Sequence, residues 1–114
     1  YISNKKKLLE DILPNSLNNF EKLLQNSSGN FFIGNDPYYC DFNAYHHFSM
    51  CLILDKNIFS NFPNINKFIN NFEELNNIKK YLDIRPELVE LGESPHFIID
   101  GKKIPTGLNP NKKY

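Results

Sequence analysis

Between Pro63 and Leu82 the apolar residues Ile65, Phe68, Ile69, Phe72, Leu75, Ile78, Tyr81 and Leu82 recur at intervals of three and four. That interval is the signature of one buried stripe on an α-helix, and it is incompatible with the alternation of a strand. Two more stretches carry the same spacing. From Asn4 to Leu24 the apolar set is Leu8, Leu9, Ile12, Leu13, Leu17, Phe20, Leu23 and Leu24. From Tyr38 to Leu54 it includes Phe42, Tyr45, Phe48, Cys51 and Leu52, with apolar residues on most sides, so this helix is expected to be the most deeply buried. Pro14 must kink the first helix or divide it, because proline lacks an amide donor and clashes with the preceding turn. Arg85-Pro86 ends the third, and Gly92 stops any turn formed by Glu87 to Leu91. The expected class is all-α, built from three packed amphipathic rods.

The chain after Gly92 behaves differently. Phe97-Ile98-Ile99-Asp100-Gly101-Lys102-Lys103-Ile104 sets Asp-Gly between two strand-like runs, the signal of a type I′ hairpin. Beyond Pro105 the residues are rich in Gly, Pro, Asn and Lys, which favours a loose tail. Gln25 to Asn30 is a loop by composition. Asp36-Pro37 suits a helix start, with Asp36 as its cap.

A length of 114 residues is one domain, long enough to fold without a disulfide or metal. Ten Phe residues and 40% hydrophobic content exclude intrinsic disorder. Thirteen basic residues balance thirteen acidic ones, so no bulk field gathers polyanions and a nucleic-acid partner is not expected. No apolar run approaches the roughly 18 residues that span a bilayer. With no membrane segment, no secretory signal and only two Cys, a cytoplasmic location is expected. The chain opens on Tyr1 rather than Met, with helical periodicity already under way, which leads us to expect a piece of a longer protein. Twelve of the thirteen basic residues are Lys, and Asn pairs recur throughout, a bias we assign to surface positions rather than to a functional tract.

Side chains able to do chemistry are few. His47 and Cys51 share a helical face, and Cys40 lies roughly along it, but His46 points about 100° away and the spacing matches no zinc module. No metal ligand is assigned. Cys40 would lie near a helix N-terminus, where a thiol becomes more acidic, yet no Gly-rich turn or second Cys accompanies it. Isolated glycines form no phosphate cradle. Lysine clusters at Lys5-Lys6-Lys7, Lys79-Lys80 and Lys112-Lys113 read as solvated surface. Glu73-Glu74 faces outward by periodicity, with nothing to raise a carboxyl pKa. Asn26-Ser27-Ser28 is a formal glycosylation sequon without a secretory context. No catalytic residue is assigned. These residues suit a wall, a lid or an interface.

Two segments together resemble the C-terminal helical domain of cytosolic glutathione transferases. Phe31-Phe32-Ile33-Gly34-Asn35-Asp36-Pro37-Tyr38-Tyr39-Cys40-Asp41-Phe42 looks like the family's aromatic, apolar, Gly-Asn loop followed by Thr/Ser-x-x-Asp-Phe. Phe62 to Leu82 is similar to the mu-class pattern of Phe-Pro-Asn-Leu, Phe-Ile, Phe-Glu-x-Leu and Ile-x-x-Tyr. Leu13-Pro14, with Leu17 and Phe20, fits the family's kinked helix, so the resemblance covers residues 5 to 85. In the family, Ser or Thr caps the buried helix and an Asp three residues later reaches back. Asp41 stands at that Asp position, whereas the cap position holds Tyr38. The departure costs about 0.5–2 kcal/mol unless Asp36 or Asn35 takes over.

The resemblance implies a bundle over residues 1–91, lacking the family's first helix, and a tail over 92–114. It also implies that glutathione, as co-substrate, is activated in an N-terminal thioredoxin-like domain not present in these residues. A homodimer and a hydrophobic electrophile are the implied partners, with Phe97, Ile98 and Ile104 as candidate contacts to that electrophile. The alternative is a non-catalytic docking module of a translation factor or aminoacyl-tRNA synthetase complex. A member that isomerises or carries hydrophobic ligands would look the same from this chain.

Overall fold

A computed structural model describes residues 2–85 and 96–105. Helix α1 (Ile2–Lys7) runs through a π turn (Leu8–Ile12) into α2 (Leu13–Gln25). Then come α3 (Tyr39–Leu54), α4 (Pro63–Glu73) and α5 (Asn76–Ile84), followed by strands β1 (His96–Ile99) and β2 (Lys102–Pro105). The fold is all-α with one short hairpin. The expected boundary between residues 91 and 92 lies outside the described residues.

Pro14 accounts for the π turn. It is at the start of α2 and has no amide to donate, while its ring crowds the carbonyl one turn earlier. The backbone widens ahead of it, and the Leu13 amide reaches back five residues to the Leu8 carbonyl. The kink expected from the sequence is thus absorbed without a break in the rod.

The core is an aromatic lattice. Phe48 of α3 and Phe68 of α4 meet edge to face with centroids 5.8 Å apart. Phe59 approaches Phe48 at 5.5 Å, and Phe31 approaches Phe68 at 6.1 Å, both near perpendicular. Such pairs add about 0.5–1.5 kcal/mol each beyond the area they bury, which gives the high Phe content a structural purpose. Leu17 and Leu24 close the lattice from α2.

Two expectations about burial need correction. Helix α3 is not the deepest: it buries one stripe, Asp41, Ala44, Phe48 and Cys51, while Tyr39 and Phe42 are exposed. Helix α4 is deeper, with Ile65, Phe68, Ile69 and Phe72 all buried within 11 residues. The single helix expected from Pro63 to Leu82 is also two. The Leu75 amide turns back tightly to the Phe72 carbonyl at 3.2 Å, and Leu75 itself leaves the helical region at ψ 126°. Helix α5 restarts when the Lys79 amide bonds to the Leu75 carbonyl at 2.8 Å. Leu75 still packs on the core from this extended position, so the apolar stripe continues across the break. Asn76 and Asn77, poor interior helix residues, begin the new helix.

Glu21 replaces a local cap on α4. Phe62, at the cap position, has no side-chain acceptor, and the Glu21 carboxylate of α2 takes the Asn64 amide at 2.8 Å and the Ile65 amide at 2.9 Å. It also accepts from the Asn64 side chain at 2.7 Å. These are the orphan donors of a helix start.

The hairpin forms as its turn chemistry requires. Asp100 and Gly101 both adopt positive φ, 51° and 71°, and Ile99 pairs with Lys102. That is the type I′ geometry.

Candidate functional site

Helix α3 begins at Tyr39, two residues later than Pro37, and Tyr38 is its cap residue. Asp36 is therefore not the cap. The work is done from inside the first turn by Asp41, which is fully buried. One of its carboxylate oxygens accepts the Tyr38 amide at 2.8 Å, the returning half of a capping box. The other accepts the Phe32 amide at 2.9 Å. The Tyr38 side chain supplies no cap bond, so the forward half is missing.

By holding the Phe32 amide, Asp41 fixes the loop that precedes the helix. The loop is a tight reversal in which the Phe31 amide bonds the Gly34 carbonyl at 2.9 Å. Gly34 has φ 119°, a conformation that favours glycine. Gly29 lies so close beneath it that an added Cβ would fall 2.3 Å from the Gly34 carbonyl carbon. Phe31 is buried on α4, whereas Ile33 is exposed.

Phe32 and Ile33 form one rim of an apolar trough between α2 and α3. Phe20 and Leu23 line it from α2, and Cys40, Asn43, Ala44 and His47 from α3, around a volume of about 440 Å³. Past Phe20 and His47 it continues into a second depression of about 310 Å³ reaching Leu8, Met50 and Leu54. The trough is open. Leu23 is 58% exposed and Ile33 66%. An apolar face of this kind marks a place where a ligand or another element docks.

Polar chemistry in the trough is sparse. Cys40 is exposed, with Sγ 3.7 Å from the Asp41 carboxylate, whose oxygens already hold two backbone amides. Cys51, deeper along α3, is buried, and burial pushes its thiol pKa up. The His46 and His47 rings lie 5.6 Å apart and tilted. Among the described residues no three His, Cys, Asp or Glu side chains come together as a metal site. The arrangement can bury apolar surface and orient it with a few weak polar contacts.

Glu73 and Glu74 part company in the structure. Glu73, expected to face outward, is half-buried and accepts the Tyr45 hydroxyl at 2.9 Å. The Tyr45 ring stacks on Phe72 at 4.5 Å. Burial first, and then the bond to Glu73, raise the pKa of the Tyr45 hydroxyl. Glu74 instead pairs with Lys79 at 2.8 Å across the α4–α5 break, and that hydrogen bond, with the carboxylate's charge, raises the Lys79 pKa. No periodicity argument could have found Glu21 or Tyr45, because each partner lies on a different helix.

Phe97, Ile98 and Ile104 lie on the hairpin, where Phe97 is the register partner of Ile104 and Ile98 of Lys103. Their side chains fall outside the described residues. No described helix is long and apolar enough to cross a membrane.

The family described as "Glutathione S-transferase, C-terminal domain" matches residues 2–85. "Glutathione S-transferase P" of Caenorhabditis elegans is 32% identical over 87 residues, which is 75% of this chain and 42% of that protein. "Glutathione S-transferase P 10" of the same organism is 32% identical over 73 residues, covering 64% of this chain and 35% of the relative. Among solved structures, the Pi-class glutathione S-transferase of Onchocerca volvulus superposes with a TM-score of 0.64 at 26% identity, over 69% of this chain and 39% of that one. The chain thus spans 42% and 35% of the two curated relatives' lengths. These names give no support to the mu-class likeness expected from Phe62 to Leu82. With a match that runs from α1 through α5, the chain belongs to the glutathione S-transferase C-terminal domain family.

Proposed function

We propose that this chain is the helical portion of a glutathione transferase, an enzyme that joins the glutathione thiolate to an electrophilic small molecule. Residues 1–91 form the bundle and 92–114 a tail. The bundle supplies apolar wall for the electrophile pocket and scaffold for a homodimer. The thiol is activated in a thioredoxin-like domain outside these residues, so glutathione is a co-substrate and no catalytic side chain is assigned here. Phe97, Ile98 and Ile104 are candidate contacts to the electrophile, and the location is cytoplasmic.

The observation that carries this reading is the open apolar trough between α2 and α3, on a bundle belonging to this family. The transferase names of the relatives favour an enzyme over a docking module. The trough is then surface that the rest of the molecule, or its ligand, covers.

The test compares the complete gene product with this chain alone. The complete protein is expected to bind glutathione resin and conjugate a chromogenic aryl halide, while residues 1–114 do neither. A complete protein inert in both assays would refute the transferase reading. Retention of the isolated chain on the resin would instead overturn the division of roles.

A further inference from the structure

We draw no further inference here: the strongest candidate, the apolar trough between α2 and α3 with the exposed Cys40 thiol at its rim, belongs to the surface already described, and no second group beside that lone thiol points to a ligand.

Discussion

The Glu21 carboxylate lies 2.9 Å from the amide of Ile65, 44 residues away in sequence, and caps a helix that brings no cap of its own. Helix α2 is thereby tied to the deepest helix by hydrogen bonds to a charged acceptor as well as by packing.

Glu21→Ala should lower the unfolding free energy by about 1–3 kcal/mol, since charge-assisted bonds to two helix-start amides are lost together. Glu21→Gln keeps one acceptor oxygen and should lose roughly half as much. Urea denaturation followed by circular dichroism checks both, and equal losses in the two variants would contradict the capping role.

The half-built capping box at α3 gives a prediction of opposite sign. Tyr38→Ser adds the missing side-chain acceptor to a turn where Asp41 already reaches back. It should stabilise the domain by about 0.5–1 kcal/mol. Asp41→Ala should destabilise it by about 2–4 kcal/mol, leaving the Phe32 and Tyr38 amides without their acceptor. A thermal midpoint unmoved by Tyr38→Ser would show that the first turn of α3 has no vacancy to fill.

Gly29→Ala should be among the more damaging single-methyl additions. Its Cβ would meet backbone, 2.3 Å and 2.4 Å from the Gly34 carbonyl carbon and oxygen, so no side-chain rotation relieves it. A loss of about 1–3 kcal/mol is expected from the forced shift, with the heteronuclear NMR signals of residues 29–35 moving most. Near-native stability and spectra would mean that the two loop strands separate freely.

The raised pKa values of the Cys51 thiol and the Tyr45 hydroxyl bear on alkaline stability. The ordinary values are 9.0 for the Cys51 thiol and 10.0 for the Tyr45 hydroxyl, and in the folded chain both groups hold their protons to higher pH. The unfolded chain then releases protons first, so stability is intact below pH 9.0 and falls as pH rises past each ordinary value. Cys51→Ala should flatten the decline that starts above pH 9.0, and Tyr45→Phe the decline above 10.0, in denaturation midpoints measured relative to the parent. Parallel pH profiles for parent and variants would remove these two groups as the cause.

Leu23→Lys probes the trough. Leu23 is 58% exposed, so stability should change by no more than about 0.5 kcal/mol. Binding of a hydrophobic fluorophore to the chain should drop several-fold. Unchanged fluorescence would place the accessible apolar surface elsewhere.

The helical class and the buried stripes were readable because Ile65, Phe68, Ile69 and Phe72 repeat with the helix and contact one core. The hairpin was readable too, since Asp and Gly tolerate the positive φ that a type I′ turn requires at both central positions. The break at Leu75 was hidden by its own success: an extended Leu75 still reaches the core, so the stripe shows no interruption. Depth of burial in α3 is not legible because apolar character alone does not say how much of a residue a neighbour covers: Tyr39 is exposed, and Phe42 stays exposed although its ring meets Phe72 edge to face at 5.0 Å. Asp36 was a reasonable cap by residue type, but the helix begins at Tyr39, where the buried Asp41 reaches the Tyr38 amide. The trough itself arises where Phe20, Ile33 and His47 converge from three segments, a proximity that no local pattern encodes.

Asp41 grips the loop by its backbone, through the Phe32 amide, and leaves the neighbouring side chains out of the bond. Variation at Ile33, Leu23 or Asn43 therefore reshapes the lining while the architecture beneath stays anchored. What lines the trough and what holds its rim in place are thus separable properties of this chain.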